Sequence, residues 1–440
     1  MQQIQITISA LLLGAILGVG MCVNAFAADF KPNYDEALIP PYTLPDPLKL
    51  ADGTPVTTPA EWRDLRRPEL YRLFADHVYG HVPEKKPEVR FQVSKQIDNF
   101  LEGRATLKEI EIYVGPRDKA TVITMLLITP NGKTPVPVFL GLNFAGNHSI
   151  METPLITLNP NWMRQNYAGV VNNRATEASR GISSSRWPVE LLLDRGYGLA
   201  TIYCGDIDPD FDDKFQNGIQ PHFYAAGQSE PTKHEWGTIG AWSWGLSRGL
   251  DYLEQDKQVD ASRVAVLGHS RLGKTSLWAG ASDERFALVI SNNSGCGGAA
   301  LSRRAIGETV QRINTSFPHW FCKQFHEYNL RENEIPVDQH QLIALIAPRP
   351  VYVASAQEDL WADPKGEYLS AYHADPVYRL LGTDGLGGDK PSPDMPAVDH
   401  PVNNGTIGYH IRTGAHNITE YDWLQYLQFA DRHLKKSSAR

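Results

Sequence analysis

At 440 residues, 42% hydrophobic and 21% charged with a formal net charge of −8, the chain has the balance of a globular protein with an extensive core. The mild acidity argues against nucleic acid or an anionic membrane surface as the main partner. Its 10 Trp and 18 Tyr supply flat amphipathic rings suited to sugar faces, although core packing is their commoner use.

Residues 11–23 form an apolar run, followed by Ala25-Phe26-Ala27 ahead of Ala28. This pattern predicts a secretory signal peptide over residues 1–27, too short for a confident membrane span, and export to the periplasm or the medium. No Lys or Arg precedes the apolar core, so a retained N-terminal anchor is the alternative. Residues 28–440 read as one domain without repeats or low-complexity linkers, and a monomer is expected. Cys22 leaves with the signal. In an oxidising compartment Cys204, Cys296 and Cys322 predict one disulfide, Cys296 with Cys322, and one free thiol; the alternative is three buried thiols.

A Pro-rich extended lead-in occupies residues 29–58, and a helix is predicted over 61–78 from the spacing of Trp62, Leu65, Leu70, Leu73 and Phe74. Alternating and β-branched patterns predict strands at 91–96, 105–114, 121–128 and 137–142. The last runs into the Gly-containing loop 143–148, placed to offer an oxyanion N–H. Residues 151–187 read as loop around a site entrance. A helix at 187–195 and a strand at 197–203 lead to the acidic loop 206–213, which lacks calcium-site spacing and is expected to be solvated. After a helix at 235–254, strands follow at 264–267, 286–291, 351–355 and 407–411, with a closing helix at 421–434. Strands alternating with helices predict an α/β class: a three-layer sandwich with a mostly parallel central sheet and antiparallel strands at its start.

The stretch Arg263 to Trp278 reads strand, Gly-His-Ser turn, helix. That order is the setting of a nucleophile elbow in an α/β-hydrolase fold, where a tight turn lifts a hydroxyl above the sheet edge. Gly268 lets the backbone turn beneath Ser270. The general G-x-S-x-G pattern would put glycine at 272, yet Leu272 stands there and the glycine is Gly273, so a helix N-cap role for Ser270 competes with the nucleophile role. A serine needs a base oriented by a carboxylate. His416, in the last loop before the closing helix, is the expected base, with His400 and His410 as competitors. Asp359, just past the strand 351–355, is the expected acid, with Glu358 and Asp363 as alternatives. The order Ser270, Asp359, His416 is that of α/β-hydrolases. Such a mechanism calls for no metal or cofactor, and GHSRLGKT lacks Walker A spacing.

The elbow Gly268-His269-Ser270-Arg271-Leu272-Gly273-Lys274 resembles that of the glucuronoyl esterases, carbohydrate esterase family fifteen. So do Asn292-Asn293-Ser294-Gly295-Cys296-Gly297-Gly298, Gly307-Glu308-Thr309, Phe317-Pro318-His319-Trp320-Phe321 and Asp359-Leu360-Trp361-Ala362-Asp363-Pro364. The resemblance implies cleavage of the ester between 4-O-methyl-glucuronic acid on xylan and lignin alcohols. It implies that Arg271 supports the oxyanion, and that Lys274, Glu308 and Trp361 contact the uronate hydroxyls. Some members carry an acid at the place of Asn293, which cannot hold a negative charge here; this leaves the role to Asp359. The rival readings are an acetyl-xylan or general carboxylesterase, and a non-catalytic sugar-binding protein on a hydrolase scaffold.

Overall fold

The structure, a computed structural model, describes residues 30–132 and 135–435, and the expected signal peptide lies outside them. Strands β1 (Val89–Phe100), β2 (Ala105–Val114) and β3 (Thr121–Pro130) form an antiparallel meander. β4 (Val136–Asn143) follows, then a short hairpin of β5 (Val170–Val171) and β6 (Arg174–Ala175), then β7 (Gly198–Tyr203). The remaining strands are β8 (Val259–His269), β9 (Leu288–Asn292), β10 (Val351–Ala356) and β11 (Ile407–Arg412). Among the described residues nine strands make one sheet in the order β1-β2-β3-β7-β4-β8-β9-β10-β11. β4 and β7–β11 run parallel to their neighbours in it, and β7 meets β3 antiparallel.

The parallel strands are buried on both faces, hence their nearly unbroken apolar sequence. Alternate residues serve opposite cores. Val138, Leu140, Val264, Val266, Val351 and Val353 face one side, with Trp242 and Leu246 of the helix Thr238–Leu253. Phe139, Ala265, Leu267, Tyr352 and Ala354 face the other, against Trp423, Tyr426 and Phe429 of the C-terminal helix Glu420–Leu434. The three-layer α/β sandwich is the expected one, and its strand positions match the sequence pattern to within a few residues.

Two expectations are overturned. The loop with Asp206, Asp208 and Asp210 is not solvated: all three carboxylates are buried. Asp206 accepts hydrogen bonds from Asn159 Nδ2 (2.7 Å), Asn161 Nδ2 (2.8 Å) and the Thr124 N–H (3.2 Å), pinning the 151–187 segment to the sheet. Burial pushes its pKa up to about 6. The three described cysteines are free and buried, so no Cys296–Cys322 bridge exists. The long helix Pro364–Leu380 falls in a stretch where no element is predicted, after Asp363-Pro364, a pair that suits a turn. Those two residues instead start it: Asp363 accepts from the Gly366 N–H (3.0 Å), and a proline suits the first helical turn.

Candidate active site

β8 delivers its last residue, His269, directly to Ser270, and the helix Arg271–Ser282 begins at the next residue. Ser270 has φ +59° and ψ −132°, a strained conformation for a residue with a side chain, costing on the order of 1–3 kcal/mol. A Cβ on Gly268 would sit 1.9 Å from the Leu272 carbonyl oxygen, so only glycine permits the turn. Ser270 occupies the N-cap position, yet its hydroxyl makes no capping hydrogen bond. Its backbone is held instead: the N–H donates to the Asn292 carbonyl (2.8 Å), and its own carbonyl accepts from the Gly273 N–H (2.8 Å). The displaced Gly273 has its own use, since a Cβ there would lie 3.0 Å from Ser294 Cβ and push the helix off the β9 loop.

Asp359 and His416 come together from two loops that are laced to each other by the Gln357 N–H to the Arg412 carbonyl (2.8 Å) and the Glu358 N–H to the Gly414 carbonyl (3.1 Å). His416 Nδ1 meets Asp359 Oδ2 at 2.6 Å. A carboxylate there fixes the tautomer with the proton on Nδ1 and leaves Nε2 as the base. Asp359 is buried, whereas Glu358 is exposed and Asp363 is engaged with Arg304 (2.8 Å) and the helix start. Of the other histidines, His400 is exposed and His410 is buried against Asp422 (2.9 Å). Asn293, in a left-handed turn at φ +48°, donates Nδ2 to the same Asp359 Oδ2 at 2.9 Å. The amide thus supports the carboxylate from the position where an acid could have stood.

Ser270, Arg271, Lys274, Glu308, Trp361, Asp359 and His416 line one cavity of about 320 Å³, together with Trp320 and Phe317. Every sequence-predicted site residue is therefore in it. Lys274 is buried, and its Nζ donates to the carbonyls of Ser294 (2.7 Å) and Cys296 (2.6 Å) and to Glu308 Oε2 (3.2 Å). An ammonium has three protons, so all are committed in this state, and Glu308 keeps lone pairs for a ligand hydroxyl. The Glu308 N–H donates to the Trp361 carbonyl at 3.0 Å, joining the two loops that carry these side chains.

Arg271 is ion-paired to Asp210 at 2.6 Å, its guanidinium 4.5 Å from the centre of the Phe144 ring and 5.7 Å from that of Trp320. Phe144 comes from the loop after β4, which reaches the site through this ring. Burial alone would raise the Asp210 pKa. The charges of Arg271 and Arg164 and hydrogen bonds from His319 and Trp320 hold it well below the usual carboxylate range. Sequence reasoning missed Asp210, Phe144 and Trp320, which fix the direction of Arg271. Phe317 stacks on Trp320 (centroids 3.8 Å, 4°) and separates this cavity from a second of about 510 Å³ bounded by Trp162, Arg164 and Asn173.

Glu367 lies beneath the β9 loop, fully buried, and was also missed. Its Oε1 accepts from the N–H groups of Ser294 (2.7 Å) and Gly295 (3.0 Å), and its Oε2 from Ser355 Oγ (2.6 Å). Burial pushes its pKa from 4.5 up to about 8. With the folded value raised, the stability it contributes is complete below about pH 4.5 and is lost as pH rises through 8. Glu367→Gln keeps the shape of the protonated acid and cannot titrate. Thermal melts from pH 5 to above 8 should therefore show the parent losing stability relative to Glu367→Gln as pH rises, by at most about 1.4 kcal/mol per pH unit. Parallel curves would contradict this assignment.

Comparison with known proteins identifies the family. Residues 213–382 match the family model described as glucuronyl esterase, fungi. Carbohydrate esterase MZ0003, from an unknown prokaryotic organism, is 54% identical over 405 residues, covering 91% of this chain and 92% of that one. A solved CE15 esterase from a marine bacterial metagenome, described as promiscuous, superposes with a TM-score of 0.85 at 54% identity, covering 92% of this chain and 100% of that chain. The glucuronoyl esterase of Solibacter usitatus gives a TM-score of 0.85 at 46% identity, covering 91% of this chain and 100% of that chain. With likeness of this degree along nearly its whole length, the chain belongs to the glucuronoyl esterases, carbohydrate esterase family 15, which are carboxylic ester hydrolases.

Proposed function

We propose that this protein is an exported serine esterase that cleaves the ester between (4-O-methyl-)glucuronic acid side chains of xylan and lignin alcohols. The observation that carries the reading is the 2.6 Å Asp359–His416 pair in the same cavity as the strained Ser270 and the Lys274–Glu308 pair. Ser270 Oγ attacks the C6 carbonyl of the uronate as His416 Nε2 takes its proton, and Asp359 stabilises the imidazolium. Negative charge develops on the carbonyl oxygen, which the Arg271 guanidinium and backbone N–H groups receive. Collapse breaks the ester C–O bond, and His416 returns the proton to the departing alcohol. Water, deprotonated by His416, then hydrolyses the acyl-enzyme and frees Ser270.

On the acyl side Glu308 accepts from a sugar hydroxyl, and the Trp361 ring borders the pocket. Export rests on the signal pattern at 1–27; among the described residues no helix is long and apolar enough to cross a membrane.

The test is the ratio of kcat/KM on benzyl glucuronate to that on a simple acetyl ester. It is the deciding quantity because the solved relative at 54% identity is described as promiscuous. A ratio well above one is expected; preference for the acetyl ester would favour the acetyl-esterase reading instead. Glu308→Gln should lower kcat/KM on the glucuronate ester at least tenfold, since a hydrogen bond to a charged acceptor contributes about 1.5–3 kcal/mol. On the acetyl ester, which has no sugar hydroxyl, the change should stay within threefold. Equal losses on both substrates would remove Glu308 from the substrate contacts.

A further inference from the structure

Asp422 lies outside the cavity, wholly buried in the first turn of the C-terminal helix. Its Oδ1 accepts from Asn292 Nδ2 (3.1 Å) and faces His410 Nε2 (2.9 Å). Its Oδ2 accepts from Arg412 Nε (2.8 Å) and from the N–H and hydroxyl of Thr419 (each 2.7 Å). Two of these partners approach the site from opposite sides.

On one side, Asn292 ends β9, and its carbonyl receives the Ser270 N–H at 2.8 Å. Its Oδ1 meets His269 Nδ1 at 2.6 Å. His269 is buried and held well below the ordinary histidine pKa by that burial, so it is neutral, with its proton on Nδ1. Its ring lies 4.5 Å from that of His416. A neutral neighbour there does not repel the imidazolium that His416 becomes, whereas a charged one would. On the other side, three of the four remaining N–H groups of Arg412 go to the carbonyls of Thr413 (2.9 Å), Ala415 (3.0 Å) and Asn417 (2.7 Å), clamping the loop that carries His416.

We propose that Asp422 is a positioning residue for the ester hydrolysis: through Asn292 it fixes the elbow and His269, and through Arg412 it fixes the His416 loop, so that nucleophile and base are held in register by one carboxylate. A buried ion pair is weak evidence for stability alone, because apolar residues of similar volume often serve as well. A carboxylate that bonds the terminal residues of two strands, Asn292 of β9 and Arg412 of β11, has a geometric use that apolar packing lacks.

The inference rests on Ser270 and His416 being nucleophile and base, which Ser270→Ala tests separately by abolishing turnover. In Asp422→Asn an NH₂ replaces one acceptor oxygen: turned one way it faces the Arg412 and Thr419 donors, turned the other it faces the Asn292 amide, so one arm of the network is lost in either orientation. Turnover per active site, titrated to completion with a serine-reactive phosphonate, should fall at least tenfold while KM stays within twofold, because no substrate contact changes. Arg412→Lys, which loses the carbonyl clamp, should show the same split. The double variant should be little worse than the poorer single one, since both break one network. Tyr378→Phe, which removes a buried hydroxyl bonded to the Arg349 carbonyl at the opposite end of β10, should lower Tm without changing turnover per site. If Asp422→Asn does not fold, Arg412→Lys decides on the same readout. Lowered Tm with turnover per site within twofold of the parent in the folded variants would overturn the proposal.

Discussion

Asp359→Asn should lower kcat by about 10³- to 10⁴-fold, the scale on which loss of a triad carboxylate acts. Asp359 Oδ2 receives both His416 Nδ1 (2.6 Å) and Asn293 Nδ2 (2.9 Å), so it is the shared acceptor of the local network. An asparagine there either turns its NH₂ toward two donors or offers one weakly basic oxygen. His416 then loses the partner that keeps the proton on Nδ1, and the imidazolium loses its counter-charge. KM should change less than kcat, because Asp359 is buried and its Oδ2 is taken up by His416 and Asn293. Adding Asn293→Asp in the Asp359→Asn background returns a carboxylate to the position whose amide lies 2.9 Å from Asp359 Oδ2, and part of the lost turnover should recover. Initial rates per titrated active site check both results. Near-parental turnover in Asp359→Asn would move the acid to another residue.

The second large effect falls on Arg271. Arg271→Met should lower kcat by about 10²- to 10³-fold, as loss of one oxyanion donor does elsewhere, with a smaller effect on KM. In the proposed role, the charge that Arg271 meets exists only in the transition state. The same substitution leaves Asp210 with Arg164 as its remaining cationic partner, at 3.1 Å, so Tm should fall as well. Arg271→Lys should recover little. A compact ammonium lacks the several N–H groups with which the guanidinium, 4.5 Å from the Phe144 ring centre, pairs with Asp210 at 2.6 Å and keeps donors for a substrate oxygen. Asp210→Asn should lower kcat less than Arg271→Met does, because it loosens the guanidinium without removing it. Unchanged kcat in Arg271→Met would assign the oxyanion to backbone donors alone.

The parts of this architecture that lie close together in the chain are legible from sequence. The parallel strands announce themselves as short apolar runs because both faces are buried, and the elbow does so because strand, glycine, serine and helix are contiguous. The order of Ser270, Asp359 and His416 follows from element order. What sequence leaves open is decided by contacts between distant loops. Glu358, Asp359 and Asp363 differ little as a pattern; burial and partners separate them. The acidic run Asp206 to Asp213 looks like a solvated turn, yet Asp210 is the partner that aims Arg271. Lys274 reads as a sugar contact, while its three protons are committed to Ser294, Cys296 and Glu308. Asn293, which in sequence looks like a missing acid, is a donor to Asp359, the acid of the proposed mechanism. Each of these depends on where a side chain from another loop ends, which no local pattern encodes.

The proposed mechanism requires that Ser270 Oγ become acylated. Incubation with a serine-reactive phosphonate, followed by intact mass and peptide mapping, tests this most directly. One adduct per chain, located on Ser270, absent in Ser270→Ala and formed in step with loss of esterase activity, is the result the account predicts. Full inactivation with the adduct on another residue, or esterase activity that survives in Ser270→Ala, would contradict it.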